Sequence, residues 1–228
     1  MQRNALFKYN PNYIGLPNNQ VKGLFIIVKK LPLFERKRMK KRIAILASGA
    51  GSNTQRIIEY FKLSNHARVV LVGSNNPDAL VLKKAADFGV SSFVFNKDAL
   101  TSLSVVLDRL VIEGVDLIVL AGFLLKIPGS LVNAFPNRII NVHPALLPKF
   151  GGKGMYGKHV HQAVIEAQEK ESGITIHYVN EYYDDGATIF QAKCDVAEND
   201  NAETLAEKVR LLEHEYFAKT IDKIIQKI

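Results

Sequence analysis

From residue 42 to about residue 142, short runs that are apolar at nearly every position alternate with longer stretches whose apolar residues recur at helical spacing. The run RIAILAS (42–48), bounded by glycine, predicts a buried strand, and NTQRIIEYFK (53–62) predicts a helix with Ile57, Ile58 and Phe61 on one face. The alternation continues with RVVLVGS and DALVLKKAADFG, SSFVF and one helix over KDALTSLSVVLDRLVIEG (97–114), then DLIVLAG and a short helix over GSLVNAF. Strands apolar toward both sides and separated by helices predict an α/β architecture: an open, mostly parallel sheet with helices on both faces.

After RIINV (138–142) the rhythm changes. A glycine-rich segment (149–158) leads to a helix near 160–169. Two extended stretches, GITIHYV and ATIFQAKCDV, are close enough to pair as antiparallel additions near the C-terminus. A last helix is expected over about 202–227, with Asp200 and Glu203 at capping-box spacing.

Length and charge refine this picture. A chain of 228 residues is one domain with something appended. The formal charge of +8 would suggest nucleic acid or an anionic membrane. Residues 1–38, however, carry eight basic residues against the single acid Glu35 and account for +7 of it. We read residues 1–38 as a basic N-terminal extension, either a targeting or binding arm or sequence read from an upstream start, and 39–228 as a single domain without a nucleic-acid face. The longest apolar run of the extension, GLFIIV (23–28), is far shorter than the ~20 residues of a membrane-spanning helix. It is followed by no small-residue cleavage site, so no membrane association is expected. Cys194 is the only cysteine, which rules out an intramolecular disulfide and fits a reducing cytoplasm.

Candidate chemistry concentrates in three places. SGAGSNT (48–54) joins the first strand to the first helix, where helix N-terminal amides attract anions; the alternative is a tight turn that merely needs glycine. Thr54 replaces the third glycine of the dinucleotide fingerprint, and the second strand exits on SNN rather than an acid, so a monophosphate suits this loop better than a dinucleotide. GKGMYGKH (152–159) lacks the final Ser or Thr of a triphosphate loop and reads as a mobile glycine-rich loop. His143, His159, His161 and His177 lack metal-site spacing, so no metal is expected, and Cys194, in an alternating apolar stretch, reads as packed rather than nucleophilic. NVHP (141–144) puts Asn141 and His143 at a strand end, two residues apart and on one side of the pleat, where ligands of open parallel sheets collect. YYDDG (182–186) adds a carboxylate-bearing turn. Asn as carbonyl polariser, His as proton handler and Asp as its electrostatic partner form a set for acyl or formyl transfer.

IAILASGAGSNTQRII, LIVLAGFLLKIPG, IINVHPALLPKFGG and GITIHYVNEYYDDGATIFQAK, in that order, resemble the folate-dependent formyltransferases, and GAGSN points to their glycinamide ribonucleotide branch. The resemblance runs from about Met39 to the C-terminus. It implies a Rossmann-like formyltransferase fold and transfer of a formyl group from 10-formyltetrahydrofolate to the amine of glycinamide ribonucleotide, by a monomer or homodimer without a metal. By the same resemblance, Gly51, Ser52 and Asn53 bind the substrate phosphate and Glu213 contacts the ribonucleotide. Leu124, Leu125, Lys126 and Ile127, with Asn141, line the folate site. His143 matches the general acid and Asp184 the carboxylate that favours its protonated form. Ala145, where many members have Ser, Asp185, where a second glycine is common, and the longer loop 149–158 depart from the pattern. A formyl-folate hydrolase on this scaffold is expected to carry a longer N-terminal domain, and a methionyl-tRNA formyltransferase a C-terminal domain and a basic face. A non-catalytic nucleotide-binding protein would use the GAGSN loop alone, which leaves Asn141, His143 and Asp184 unexplained. A chain started at Met39 is expected to fold and turn over normally; loss of activity in that truncation would show that the extension matters.

Overall fold

Alternate residues of the apolar runs serve opposite faces of one sheet. In strand β1 (Lys41–Leu46), Ile43 and Ile45 belong to one hydrophobic core while Ala44 and Leu46 belong to another. All four are fully buried. A computed structural model describes residues 40–102 and 104–228; the extension expected over residues 1–38 lies outside the described residues. Strands β2 (Ala67–Ser74), β3 (Ser91–Val94), β4 (Leu117–Leu120) and β5 (Ile139–His143) run parallel to β1, then β6 (Glu171–Tyr178) adds antiparallel to β5 and β7 (Thr188–Asp195) antiparallel to β6. The described sheet has seven strands in the order β3-β2-β1-β4-β5-β6-β7.

That order reverses direction between β1 and β4, because β2 and β3 extend the sheet one way and β5 the other. The loops leaving β1 and β4 therefore diverge and open a crevice at the carboxyl ends of the strands. Helices α1 (Ser52–Lys62), α2 (Leu80–Asp87), α6 (Lys158–Glu166) and α7 (Ala202–Ile225) contribute to the core on one face, through residues such as Ile57, Val81, Val164 and Phe217. Helices α3 (Lys97–Thr101), α4 (Ser104–Ile112) and α5 (Gly129–Ala134) contribute Leu100, Leu110 and Leu131 to the other. Each such buried apolar side chain contributes about 1.5–3 kcal/mol. Among the described residues no helix is long and apolar enough to cross a membrane.

The single helix expected over 97–114 is two. Leu100 is buried in the first, and Val106 and Leu110 are buried in the second. Thr101 and Ser102 at the junction are of types that favour local backbone bonding over helix continuation. The helix expected near 160–169 starts earlier, at Lys158, and β5 extends one residue further, to His143.

The cap of α7 also differs from expectation. Asn201, not Asp200, is the N-cap: its Oδ1 accepts from the amides of Glu203 and Thr204 at 2.9 and 3.0 Å, and Thr204 Oγ1 accepts from the Asn201 amide at 3.0 Å. Asp200 instead accepts from the Ala197 amide and from Lys208, and those bonds hold its carboxyl below the usual range. Asn201→Ala is expected to lower the unfolding free energy by about 1 kcal/mol in urea titration, and Asn201→Ser to keep most of it.

Candidate functional site

A cleft of about 590 Å³ lies over the crevice at the strand ends, lined by the β1–α1 loop, the segments after β4 and β5, the glycine-rich loop and one side of α7. Gly51, the N-cap of α1, has φ 69° and no side chain caps this helix. A Cβ there would lie 2.5 Å from Val81 Cγ2, so both the left-handed backbone and the packing of α2 require glycine. The helix N-terminus therefore opens directly onto the cleft, with no acidic residue in its first turn. Such an end attracts anions through its free amides and dipole.

Next to it, Asn53 is buried and donates from Nδ2 to Glu213 Oε2 at 2.7 Å, leaving Asn53 Oδ1 buried without a protein partner. Glu213 as a residue keeps some exposed surface, but protein surrounds its carboxyl closely. That desolvation pushes its pKa up to about 6, against the opposing effects of the Asn53 hydrogen bond and Arg210. Gly51, Ser52, Asn53 and Glu213 are thus brought together.

The segment after β4 is divided between two spaces. Leu124 lines the main cleft, whereas Leu125, Lys126 and Ile127 line a smaller adjoining recess of about 60 Å³ with Asn141, Tyr183 and Asp184. Ser48 fixes this segment: its Oγ accepts from the Leu124 amide at 2.9 Å and donates to Asn75 Oδ1 at 2.6 Å, tying together the loops after β1, β2 and β4.

At the centre, β5 places Asn141 and His143 as alternation requires, and both line the cleft. His143 is 3% exposed, with Nδ1 3.5 Å from Asp184 Oδ1 and Nε2 2.7 Å from the carbonyl of Phe150. The carbonyl can only accept, so Nε2 carries a hydrogen, and a second hydrogen on Nδ1 would face the carboxylate. Asp184 sits at φ 53° and accepts from the Gly152 amide through Oδ2 at 3.0 Å. The glycine-rich loop therefore holds the pair from both ends, through the Phe150 carbonyl and the Gly152 amide.

Sequence reasoning missed His177 and that backbone clamp. His177 is 2% exposed on β6, directly across from Asn141, with Nε2 3.2 Å from Asn141 Nδ2 and 3.7 Å from Asp184 Oδ1. The signal that could have found it is the antiparallel register of GITIHYV against IINVH. His161 also lines the cleft, buried on α6 with an unpartnered Nδ1; its pKa is lowered by burial and by His143. Among the described residues no three or more His, Cys, Asp or Glu are arranged to hold a metal ion. Cys194 is half-buried in β7, and burial pushes its thiol pKa up, as suits a packed residue.

A doubly wound sheet with an amide, an imidazole and a carboxylate at its switch point defines an α/β protein equipped for polar group transfer. The formyl transferase family model matches residues 41–221. The chain is 42% identical over 194 residues to the chloroplastic phosphoribosylglycinamide formyltransferase of Arabidopsis thaliana, covering 82% of this chain and 66% of that one. It thus spans slightly under two thirds of that plant relative's length. It is 34% identical over 192 residues to phosphoribosylglycinamide formyltransferase of Bacillus subtilis, covering 81% of this chain and 95% of the relative. The crystal structure of phosphoribosylglycinamide formyltransferase from Anaplasma phagocytophilum matches with a TM-score of 0.76 at 33% identity, covering 83% of this chain and 89% of that one. The chain belongs to the formyl transferase family, on the branch of the phosphoribosylglycinamide formyltransferases.

The raised pKa of Glu213 has a consequence for stability. A folded carboxyl with a pKa above its unfolded value favours folding fully below about pH 4.5 and loses that contribution as pH rises through about 6. Its ionisation costs the native state on the order of 1–2 kcal/mol. Glu213→Gln, which keeps an acceptor for Asn53, is expected to be more stable than wild type by that amount in urea titrations at pH 8, and no more stable at pH 4.5.

Proposed function

We propose that the protein transfers the formyl group of 10-formyltetrahydrofolate to the amine of N1-(5-phospho-D-ribosyl)glycinamide, yielding the N-formyl product and tetrahydrofolate, as a cytoplasmic step of de novo purine synthesis. One observation carries this reading. A single cleft combines an uncapped helix N-terminus suited to a phosphate with Asn141, His143 and Asp184 at the strand ends. The names of the relatives, phosphoribosylglycinamide formyltransferases, support the acceptor and the group transferred.

On this reading Gly51, Ser52 and Asn53 hold the phosphate, and Glu213, with the unpartnered Asn53 Oδ1, receives ribonucleotide hydroxyl or amine hydrogens. Leu124 to Ile127 border the folate, with the recess beside Asn141 taking part of it. The nucleophile is the substrate's own amine, so the protein needs none. As the amine adds to the formyl carbon, negative charge develops on the formyl oxygen. Preorganised donors from Asn141 Nδ2 and a protonated His143 stabilise that charge in a site largely withdrawn from water. Asp184 stands 3.5 Å from that ring as its electrostatic partner. Collapse of the tetrahedral adduct breaks the bond to the folate nitrogen, and that nitrogen gains the proton the amine gives up. The Phe150 carbonyl occupies His143 Nε2 in this structure, so a substrate reaching that nitrogen replaces it.

His143→Ala and Asp184→Asn are each expected to lower kcat by roughly 10²-fold or more, the range for losing an acid–base or charge-stabilising group. Asparagine suits position 184 because it tolerates the left-handed backbone there. Turnover is read from the folate absorbance change on mixing protein with both substrates. Absence of that change in wild type, with measurable ribonucleotide binding, would leave a binding protein rather than a transferase.

A further inference from the structure

The partner of Asn141 decides which way its amide faces. An amide side chain has a donor side and an acceptor side, and only the nitrogen can stabilise a developing oxyanion. Asn141 Nδ2 lies 3.2 Å from His177 Nε2, so the hydrogen on that ring nitrogen, present or absent, sets the orientation.

The ring chemistry is settled by its other contact. His177 Nδ1 is 2.8 Å from the carbonyl of Tyr178, which can only accept, so Nδ1 carries a hydrogen. Burial disfavours a cationic ring here and lowers the pKa of His177, outweighing the opposing influence of the Tyr178 carbonyl and Asp184. Nε2 is then a bare acceptor. An Asn141 oxygen turned toward it would set lone pair against lone pair, whereas the amide nitrogen donates one hydrogen to it. The second hydrogen of the same NH₂ group remains for a ligand, and Asn141 lines the cleft.

A bare Nε2 also affects Asp184. The carboxylate oxygen Oδ1 lies 3.5 Å from His143 Nδ1 and 3.7 Å from His177 Nε2, nearly midway between two imidazoles. Without a hydrogen on His177 Nε2, only His143 can offer Oδ1 a donor.

We propose that His177 is a positioning residue for formyl transfer: as the neutral ring protonated on Nδ1, it holds the nitrogen side of the Asn141 amide toward the reacting carbonyl and leaves Asp184 to His143. The inference rests on the formyl-transfer reading above for its catalytic consequence, but not for its geometry.

Two measurements test it separately. Nitrogen NMR on histidine-labelled protein without substrates should show His177 protonated on Nδ1 and bare on Nε2 at neutral pH; an Nε2-protonated ring or an imidazolium would overturn the proposal. Turnover then compares His177→Phe, which keeps a ring without an acceptor, with His177→Gln, whose Oε1 approaches the position of Nε2. His177→Phe is expected to lower kcat roughly 10- to 10²-fold with KM for the ribonucleotide within about threefold, as for a donor that acts in the transition state. His177→Gln should recover most of that loss. On an Asn141→Ala background, His177→Phe should cost little more. Equal impairment by Phe and Gln, or a full Phe effect without Asn141, would overturn the proposal. Should His177→Phe fail to fold, the NMR assignment and the activity of His177→Gln decide. If wild type shows no turnover at all, formyl transfer itself is wrong, and the NMR result still decides whether His177 orients Asn141.

Discussion

Strands β5 and β6 run antiparallel with Asn141 opposite His177 and His143 opposite Thr175. Directly opposed residues in such a pair stand about 4.5–5.5 Å apart at Cα, close enough for side chains on the same face to bond. A slip of one residue would bring Ile176 opposite Asn141 and turn His177 to the other face. Hydrophobic burial guards against that slip. Ile174 and Ile176 belong to the core on the α7 side, while Thr175 and His177 lie opposite His143 and Asn141, so the apolar alternation of β6 and the polar alternation of β5 fix the same register.

The turn that follows β6 has to return within a few residues to deliver Asp184. It is tight: a Cβ on Gly186 would stand 1.8 Å from the Tyr178 carbonyl oxygen. Asp184 adopts a left-handed backbone within the turn, which costs a non-glycine residue on the order of 1 kcal/mol or more. Local bonding offsets the strain, through the Gly152 amide on one carboxylate oxygen and the His143 ring near the other. Thr175 steadies the chain beyond His143 from the same strand. Its Oγ1 donates to the Ala145 carbonyl at 2.7 Å and accepts from the Leu147 amide at 2.9 Å. Asn141 and His143 thus stand on a strand and Asp184 on a turn, while backbone groups of loops complete their bonding.

What could be read from the sequence follows from which forces are local. The strands and helices were legible because each apolar run is buried by its own periodicity, and Asn141 and His143 because a pleat puts alternate residues together. The break between α3 and α4 was harder, since it falls inside a stretch whose apolar spacing, read alone, continues as one helix. His177 looks like a histidine lost among isoleucines until β6 is set beside β5. The Phe150 carbonyl and Gly152 amide leave no trace in side-chain chemistry at all. Glu213 lies well inside a long helix, where an acid normally means solvent. Only the packing of α7 against α1 brings it to Asn53, and it was the resemblance to known formyltransferases, not any pattern, that singled it out.

The two carboxylates of the cleft are set in opposite ways by their surroundings. Asp184 meets a backbone N–H and an imidazole, groups that suit an anion. Glu213 has one neutral amide donor and little water, so its charge is poorly compensated in the empty protein. On the proposed reading, that deficit is what a ribonucleotide supplies: hydroxyl or amine hydrogens arriving at Glu213 restore the solvation removed by burial. Those same hydrogens find no such deficit at Asp184, whose partners are already in place. On that reading the difference directs the donors of the acceptor substrate toward α7, and its phosphate goes to the uncapped end of α1. The proposed reading leaves the centre of the cleft to the formyl carbonyl, which needs donors and would find them at Asn141 and His143.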